Sequence, residues 1–492
     1  MATEATAESL RFVDHDGHEM THEIAGTEPS DTTAIVWFRR DLRLADNPAL
    51  QAAAEGHGRV VAVFVHDPAL VRPSGANRVV FLHGCLDALD ADLGGRLWER
   101  EGDPALVLPQ LAAEVEATAI YVAEDFGPYG VRRDVAIEAA LVAAGRTLER
   151  VGSPYAVPPD TLFTGGGTPF KVFTPFSRQW REHGWDEPIP APAGGSMTWL
   201  PRPGPEWADR PTTPAAEATG GLPAAGETEA ARLADEFLAG RVDGYTDDRN
   251  RPDLDLTSRL SPHLKYGTVH PRQLLARLGR GAGAHTWSGE LCWRDFYADV
   301  LYHRPETARQ NYAVAMNGIE WDTGAKADER FEAWCLGRTG YPVVDAGMRQ
   351  LLAEGWMHNR VRMITASFLV KDLHLHWTRG ARWFMRHLVD GDLASNNHGW
   401  QWTAGTGTDA APFFRIFNPT AQGQRFDPQG DYVRRYVPEL RGIAGKAAHE
   451  PWKLGEADLF SGGSSGGTGQ YPSPIVDHKT EREDALARYQ RR

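Results

Sequence analysis

Cysteine is nearly missing: Cys85, Cys292 and Cys335 are the only three in 492 residues. Their odd number argues against a disulfide framework, and their wide separation argues against a zinc site. No apolar run approaches the roughly 18 residues of a membrane span, and the first thirty residues are acidic rather than basic-then-apolar, so neither a membrane anchor nor a secretory signal is expected. The cytoplasm is the expected compartment. No GxGxxG follows the first strand-like run, which removes the dinucleotide-binding fingerprint. Positive charge is also short: 52 Lys and Arg against 66 Asp and Glu leave a net charge of -14. Taken alone, that balance argues against a nucleic-acid partner.

What is present is ordinary for a globular chain, with 41% hydrophobic and 24% charged residues. The length suits roughly two to three domains. Charge is unevenly spread. Eight acids (Glu4, Glu8, Asp14, Asp16, Glu19, Glu23, Glu28, Asp31) face Arg11 alone in residues 1–31, so half the net charge belongs to a segment expected to be a disordered tail. Between Trp356 and Arg386 the sign reverses: Arg360, Arg362, Lys371, Arg379, Arg382 and Arg386 face Asp372 alone, which predicts a local basic surface. Nine of the sixteen tryptophans fall between Trp287 and Trp402.

From Thr33, short β-branched runs (AIVWF, VVAVFV, ALVL, AIYV) alternate with amphipathic ones, the pattern of a parallel sheet covered by helices on both faces. Asn47 reads as a helix cap with Pro48 at the first helical position. Residues 201–230 hold six prolines and predict a long surface linker; GGSSGGTGQ (462–470) predicts a second flexible loop. After about Ala230 the pattern is helical throughout, including VVDAGMRQLLAEG from Val343 with Gly355 as its stop, and NRVRMITASFLVKDL from Asn359. The expected fold class is therefore α/β plus all-α. A doubly wound, Rossmann-like parallel-sheet domain (32–160) is joined by a linker (161–232) to a helical domain (233–492).

Five stretches stand out: VWFRRDLRLADNPAL (36–50), TSRLSPHLKYG (257–267), GELCWRDFY (289–297), GWMHNRVRMITASFLVKDL (355–373) and DGDLASNNHGWQWTAGTGTDAAPFFRIFNP (390–419). Thr257-Ser258-Arg259 ahead of a helical run can gather hydroxyls and free backbone N–H groups, which suits pyrophosphate, although simple capping is the commoner use. Asp390 and Asp392 without a neighbouring His/Cys set make a poor transition-metal site, and no metal site is expected. His374 and His376 read as a surface pair. Glu290 and Trp293 share a helical face, as do Asn359 and Met363. His358, directly before Asn359, should point elsewhere.

Together these stretches resemble the photolyase/cryptochrome flavoprotein family, from about Thr33 to the C-terminal end, closest to its class I cyclobutane pyrimidine dimer branch. The resemblance implies FAD as cofactor, held by Tyr245, Thr257, Ser258, Arg259, Leu260, Ser261, Trp287, Glu290, Arg294, Asp390, Gly391, Asp392 and Asn396. It places Asn396 opposite the reactive flavin nitrogen, where an amide adds no negative charge; plant-type cryptochromes carry aspartate there. It makes Trp400, Trp377 and Trp321 a photoreduction relay from flavin to solvent, where core packing would be the ordinary fate of a tryptophan. It implies DNA containing pyrimidine dimers as partner. Trp293 and Trp402 would flank an extruded pyrimidine pair, with Tyr297 beside them, and Glu290 would hydrogen-bond its edge. Asn359 and Met363 stand where (6-4) photolyases place histidines. Arg249, Arg360, Arg362, Arg415 and Gln422 match DNA or lesion contacts, a task suited to the planar guanidinium fork.

The implied activity is that of an enzyme, a lyase that repairs cyclobutane dimers by electron transfer from photoexcited reduced FAD. A blue-light sensor of cryptochrome type, or a (6-4) photolyase, is the alternative. The antenna is expected to be a deazaflavin (8-HDF) rather than a folate (MTHF), because Tyr129-Gly130 replaces the Asn-Glu pair of folate-binding members. The protein is expected to be monomeric.

Overall fold

Asn47 does cap a helix: its side chain accepts from the Leu50 N–H, with Pro48 at the first helical position of Pro48–Gly56. This detail belongs to a computed structural model that describes residues 9–13, 19–23, 30–193, 195–412, 414–454 and 471–492. Strands β1 (Ser9–Val13) and β2 (Glu19–Glu23) pair antiparallel within the acidic segment, where composition argued for disorder. The Gly/Ser loop at 462–470 lies outside the described residues.

Six further strands, β3 (Ser30–Trp37), β4 (His57–His66), β5 (Leu97–Glu101), β6 (Ala117–Val122), β7 (Thr147–Arg150) and β8 (Thr198–Trp199), form one parallel sheet in the order β5-β4-β3-β6-β7, with β8 pairing the start of β4. Alternation along β3 serves both faces. Ala34, Val36 and Phe38 pack with Phe81, Leu86 and Leu89 of the Ala76–Asp92 helix, while Ile35 and Trp37 pack with Leu108, Leu111, Ile137 and Leu141 on the other side. The ALVL run is not a strand. Asp103 accepts from the Ala105 N–H with Pro104 at the first position, so ALVL falls in the Pro104–Glu114 helix and the strand is the preceding LWERE. The capping chemistry outweighs the β-branched composition.

The proline-rich stretch is a connection, but not a free one. Trp207 is buried against Trp98, with ring centroids 5.2 Å apart, Arg210 pairs with Glu99 and Asp87, and Glu217 and Ala218 donate backbone N–H groups to Asn77. Gly220 donates to the Ala353 carbonyl of the helical domain. Low-propensity composition is here overridden by one buried aromatic and a series of specific bonds.

Beyond Trp199 the described residues form helices and loops. Pro342–Glu354 ends at Gly355, whose φ of 63° is the left-handed stop expected of a glycine. Asn359–Ser367 continues as a π-helical turn, Phe368–Asp372. Trp377–His387 crosses Leu393–Ala404 so closely that a Cβ on Gly380 would lie 2.1 Å from the Trp400 ring. Trp334, Leu369, Trp377, Phe384 and Trp400 lie in the core these helices share.

Candidate active site

A cavity of about 460 Å³ opens within the helical domain. One face of the Ala282–His303 helix lines it with Trp287, Glu290, Trp293, Arg294 and Tyr297, residues three and four apart. The Asn359–Ser367 helix adds Asn359, Arg362 and Met363; the start of Leu393–Ala404 adds Asp392 and Asn396, and its later turns Trp400 and Trp402. Tyr245, Ser258, Ser261, Asp390 and Gly391 line it as well, with Arg40, Arg249 and Lys265 among the charged groups.

The charges are arranged to keep one carboxylate ionised. Asp392 caps its helix by accepting from the Ser395 N–H at 3.0 Å, and its Oδ2 lies 3.0 Å from Arg40 and 3.7 Å from Lys265. Burial alone would push the Asp392 carboxyl up, but Arg40, Lys265 and the Ser395 N–H outweigh it and hold it well below the usual carboxylate range. The same burial, with Arg40 beside it, lowers the Lys265 ammonium to about 7. Asp390 pairs with Arg362 at 2.8 Å, leaving its Oδ1 buried without a partner, as is the Thr257 hydroxyl. The Asn396 amide nitrogen donates to the Ala381 carbonyl and to Asn397, which leaves its oxygen as the acceptor. Burial raises the Glu290 carboxyl, against the opposing pull of Arg249, whose guanidinium lies 2.6 Å away, and of Arg360.

This donor set fits FAD. Ser258 and Ser261 offer hydroxyls and aromatic rings offer apolar walls; the ionised Asp392 could accept from a ring N–H, and the Asn396 amide oxygen could face a ring nitrogen without adding charge.

Met363 and Trp402 also line a second, outer opening of about 510 Å³ with Asn250, Arg360, Arg415, Phe417, Gln422 and Arg425. Arg360 is held by two bonds to the Asn250 side-chain oxygen and lies over the Phe426 ring, 4.7 Å from its centroid. Burial, then Arg249 and Arg425, lowers the Arg360 guanidinium to about 10. Phe173 stacks on Trp293 at 3.6 Å and 6°, fixing the plane of that ring.

Residues 34–193 match the family model of DNA photolyase, and residues 287–491 match the FAD binding domain of DNA photolyase. A deoxyribodipyrimidine photo-lyase of Halobacterium salinarum is 39% identical over 489 residues, covering 93% of this chain and 98% of that protein. The chain belongs to the DNA photolyase family. Among solved structures, a bacterial class III photolyase from Agrobacterium tumefaciens is similar at 38% identity and a TM-score of 0.85, covering 95% of this chain and 99% of its own. An archaeal photolyase from Sulfolobus tokodaii, described with two FAD molecules and a novel light-harvesting cofactor, is similar at 31% identity and a TM-score of 0.77, covering 94% of this chain and 100% of its own.

Some photolyase positions expected at the flavin lie elsewhere. The Arg259 side chain, at a backbone φ of 55°, turns to Asp255 and Glu354 and lies over Trp356, and Leu260 is buried behind the cavity wall. Trp377 is fully buried, donates to Asn311, and sits beside His376, whose ring also meets Trp321 at 5.3 Å. His374 is a correction: it is 2% exposed, with its Nε2 2.7 Å from Glu481. His358 caps the Asn359–Ser367 helix through Nδ1. The basic run between Trp356 and Arg386 is also a correction. It winds through several helices, so Lys371 and Asp372 are buried, Arg379 pairs with Asp328 and Arg386 with Glu217, and Arg360 alone of the run reaches the outer opening.

No sequence pattern marks Arg40 or Lys265, although they lie in the stretches 36–50 and 257–267. Arg40 comes from the α/β domain and Lys265 from a distant part of the helical one, and a charge whose partner lies more than a hundred residues away has no local periodicity to reveal it. Both also line a separate cavity of about 740 Å³ between the domains, with Trp37, Arg39, Asp67, Asp125, Arg133 and Trp377. Much of its wall comes from the carboxyl ends of β3, β4 and β6, the topological switch point where open parallel sheets bind ligands.

Proposed function

We propose that this chain is a deoxyribodipyrimidine photo-lyase, which takes a cyclobutane pyrimidine dimer out of the DNA stack and splits it under blue or near-UV light. One observation carries the reading: the flavin-type acceptors Asp390, Asp392 and Asn396 share a single cavity with Glu290, Trp293, Asn359, Met363 and Trp402, and that cavity meets an opening edged with arginine. A base cannot be reached inside the duplex, so the target must be extruded. When bound, FAD supplies the light-driven electron. The residues do the rest. Arg249, Arg360, Arg415 and Arg425 engage phosphates without reading sequence. Trp293 and Trp402 offer flat apolar faces to the flipped pair, each worth about 1–3 kcal/mol by general experience with base stacking.

Glu290, half-buried and with a raised carboxyl, is placed to hydrogen-bond the dimer edge once Arg249 turns to the DNA. Asn359 and Met363 bring no acid or base to the lesion, which favours the cyclobutane dimer over the (6-4) product. Trp400, Trp377 and Trp321 form the route by which an oxidised flavin is reduced. The 740 Å³ cavity holds the antenna, a deazaflavin. Arg39 and Arg133 lie over the Trp37 ring there, and a side chain on Gly130 would collide with Asp125, so the acidic folate contact has no room. The protein works as a monomer in the cytoplasm; among the described residues no helix is long and apolar enough to cross a membrane.

The test is light-dependent restoration of a thymine cyclobutane dimer in a short oligonucleotide by the purified, reduced protein, with a (6-4) lesion and a dark sample as controls. Repair of the dimer alone is expected. Failure on both lesions by a flavin-loaded, photoreducible protein would overturn the reading in favour of a light sensor.

A further inference from the structure

Lys371 is a buried ammonium, 1% exposed, and it makes no ion pair among the described residues. Its one hydrogen bond goes to the backbone carbonyl of Arg415, at 2.8 Å. It sits in the π-helical turn Phe368–Asp372, which continues the helix carrying Asn359, Arg360, Arg362 and Met363. Single π-turns inserted in α-helices occur frequently at functional sites. Arg415 itself is exposed, between the helices Leu393–Ala404 and Pro419–Phe426, and lines the outer opening with Trp402 and Gln422. A buried charge with no carboxylate at ion-pair distance is costly, and hydrophobic neighbours such as Leu369 and Val370 show what the same turn accepts without that cost.

We infer that Lys371 is a positioning residue for DNA binding: its ammonium ties the backbone at Arg415 to the substrate helix and so sets where that guanidinium meets a phosphate. Lys371 touches neither flavin nor lesion in this arrangement and acts through Arg415. The inference rests on the deoxyribodipyrimidine photo-lyase reading of the same opening.

The groups that face the ammonium come from three elements. On its own turn is Asp372, whose Oδ1 is taken by His478; on the loop is Arg415; on the C-terminal helix His478–Arg491 the Tyr489 ring lies 5.9 Å from Nζ. Burial, opposed by Asp372 and helped by Arg415, lowers the Lys371 ammonium to about 8. Burial raises the Asp372 carboxyl to about 6, against His478, so it stays ionised above neutrality. The tether is therefore mostly charged at pH 7 and weakens as pH rises through about 8.

The experiment measures the Kd of the flavin-loaded full chain for a thymine-dimer oligonucleotide at fixed salt, for wild type, Lys371→Met, Arg415→Ala and the double variant. Lys371→Met is expected to weaken binding roughly tenfold, the scale of a charge-assisted bond. The same change made in the Arg415→Ala background should cost little, and repair per photon at saturating DNA should be unchanged. Additive effects, unchanged affinity, or loss of flavin with the lysine would each overturn the inference. Should Lys371→Met fail to fold, Lys371→Leu, the residue the same turn holds at 369, is measured in its place: it must weaken binding similarly, and unchanged affinity overturns the proposal. If wild type binds and repairs the dimer while Lys371→Met is unaffected, this inference alone falls; if wild type does not bind the lesion, the functional reading falls with it.

Discussion

Two side chains bear most of the chemistry proposed for the cavity, and each separates from its ordinary structural role by substitution. Trp400 is 3% exposed and touches Phe384 and Trp334 at ring distances of 5.0 and 6.0 Å, so it is as much a core residue as a donor. Phenylalanine keeps much of that packing but is far harder to oxidise. Trp400→Phe is therefore expected to abolish photoreduction of oxidised flavin while sparing repair by chemically reduced enzyme. Absorbance bleaching of the flavin under illumination checks the first half, and dimer repair after dithionite treatment checks the second. Glu290 poses the opposite case. Its carboxyl lies 2.6 Å from Arg249, and it faces the cavity rather than solvent. Glu290→Gln preserves shape and hydrogen-bonding but removes the charge that holds Arg249. The expected outcome is a several-fold lower repair per absorbed photon with flavin content retained; an unchanged photon yield would remove Glu290 from the chemistry.

Between elements, the decisive contact is the crossing of the Trp377–His387 and Leu393–Ala404 helices. Glycine at 380 lets the two backbones approach until the Trp400 ring lies against the helix, where a Cβ would stand 2.1 Å from it. Gly380→Ala is expected to cost about 1–3 kcal/mol in chemical denaturation, the usual range for overpacking, and to lower the FAD content by displacing Trp400. Equal stability and full flavin occupancy would mean the ring has room to move.

The same scale shows what was legible in the sequence. Periodicity and caps gave the parallel sheet, the helical second half, and the ends at Asn47 and Gly355, because those signals are local. ALVL misled because Asp103 and Pro104 start a helix whose apolar residues face the sheet. That Glu290 shares a face with Trp293, and Asn359 with Met363, followed from spacings of three and four; that these faces line a cavity was implied only by the family resemblance. The contributions of Arg40, Lys265, Asn250 and Arg425 did not follow from spacing, because they arise where distant segments meet. The docking of the proline-rich stretch likewise depends on Trp98 and Asn77, more than a hundred residues upstream.

For the whole molecule, two facts stand in tension: a net charge of -14 and a proposed polyanionic substrate. The resolution is segregation. Half of the excess acid lies before residue 32, while Arg249, Arg360, Arg415 and Arg425 cluster at the cavity and its opening. The α/β domain is part of the same electrostatic unit, since Arg40 reaches across to Asp392 and Arg43 donates to the Gly267 carbonyl. A protein of this kind is repelled by DNA at long range and held by a few arginines at short range. Its lesion affinity should then depend steeply on salt. If about four phosphates are neutralised, raising salt from about 50 to 200 mM is expected to weaken binding about a hundredfold. Arg415→Ala should reduce the slope of log K against log salt by about one while weakening damaged and undamaged DNA alike, as a phosphate contact must. A slope near zero in wild type would mean that stacking in the cavity, not the arginine opening, carries the affinity, and an unaltered slope in the variant would remove Arg415 from the DNA contact.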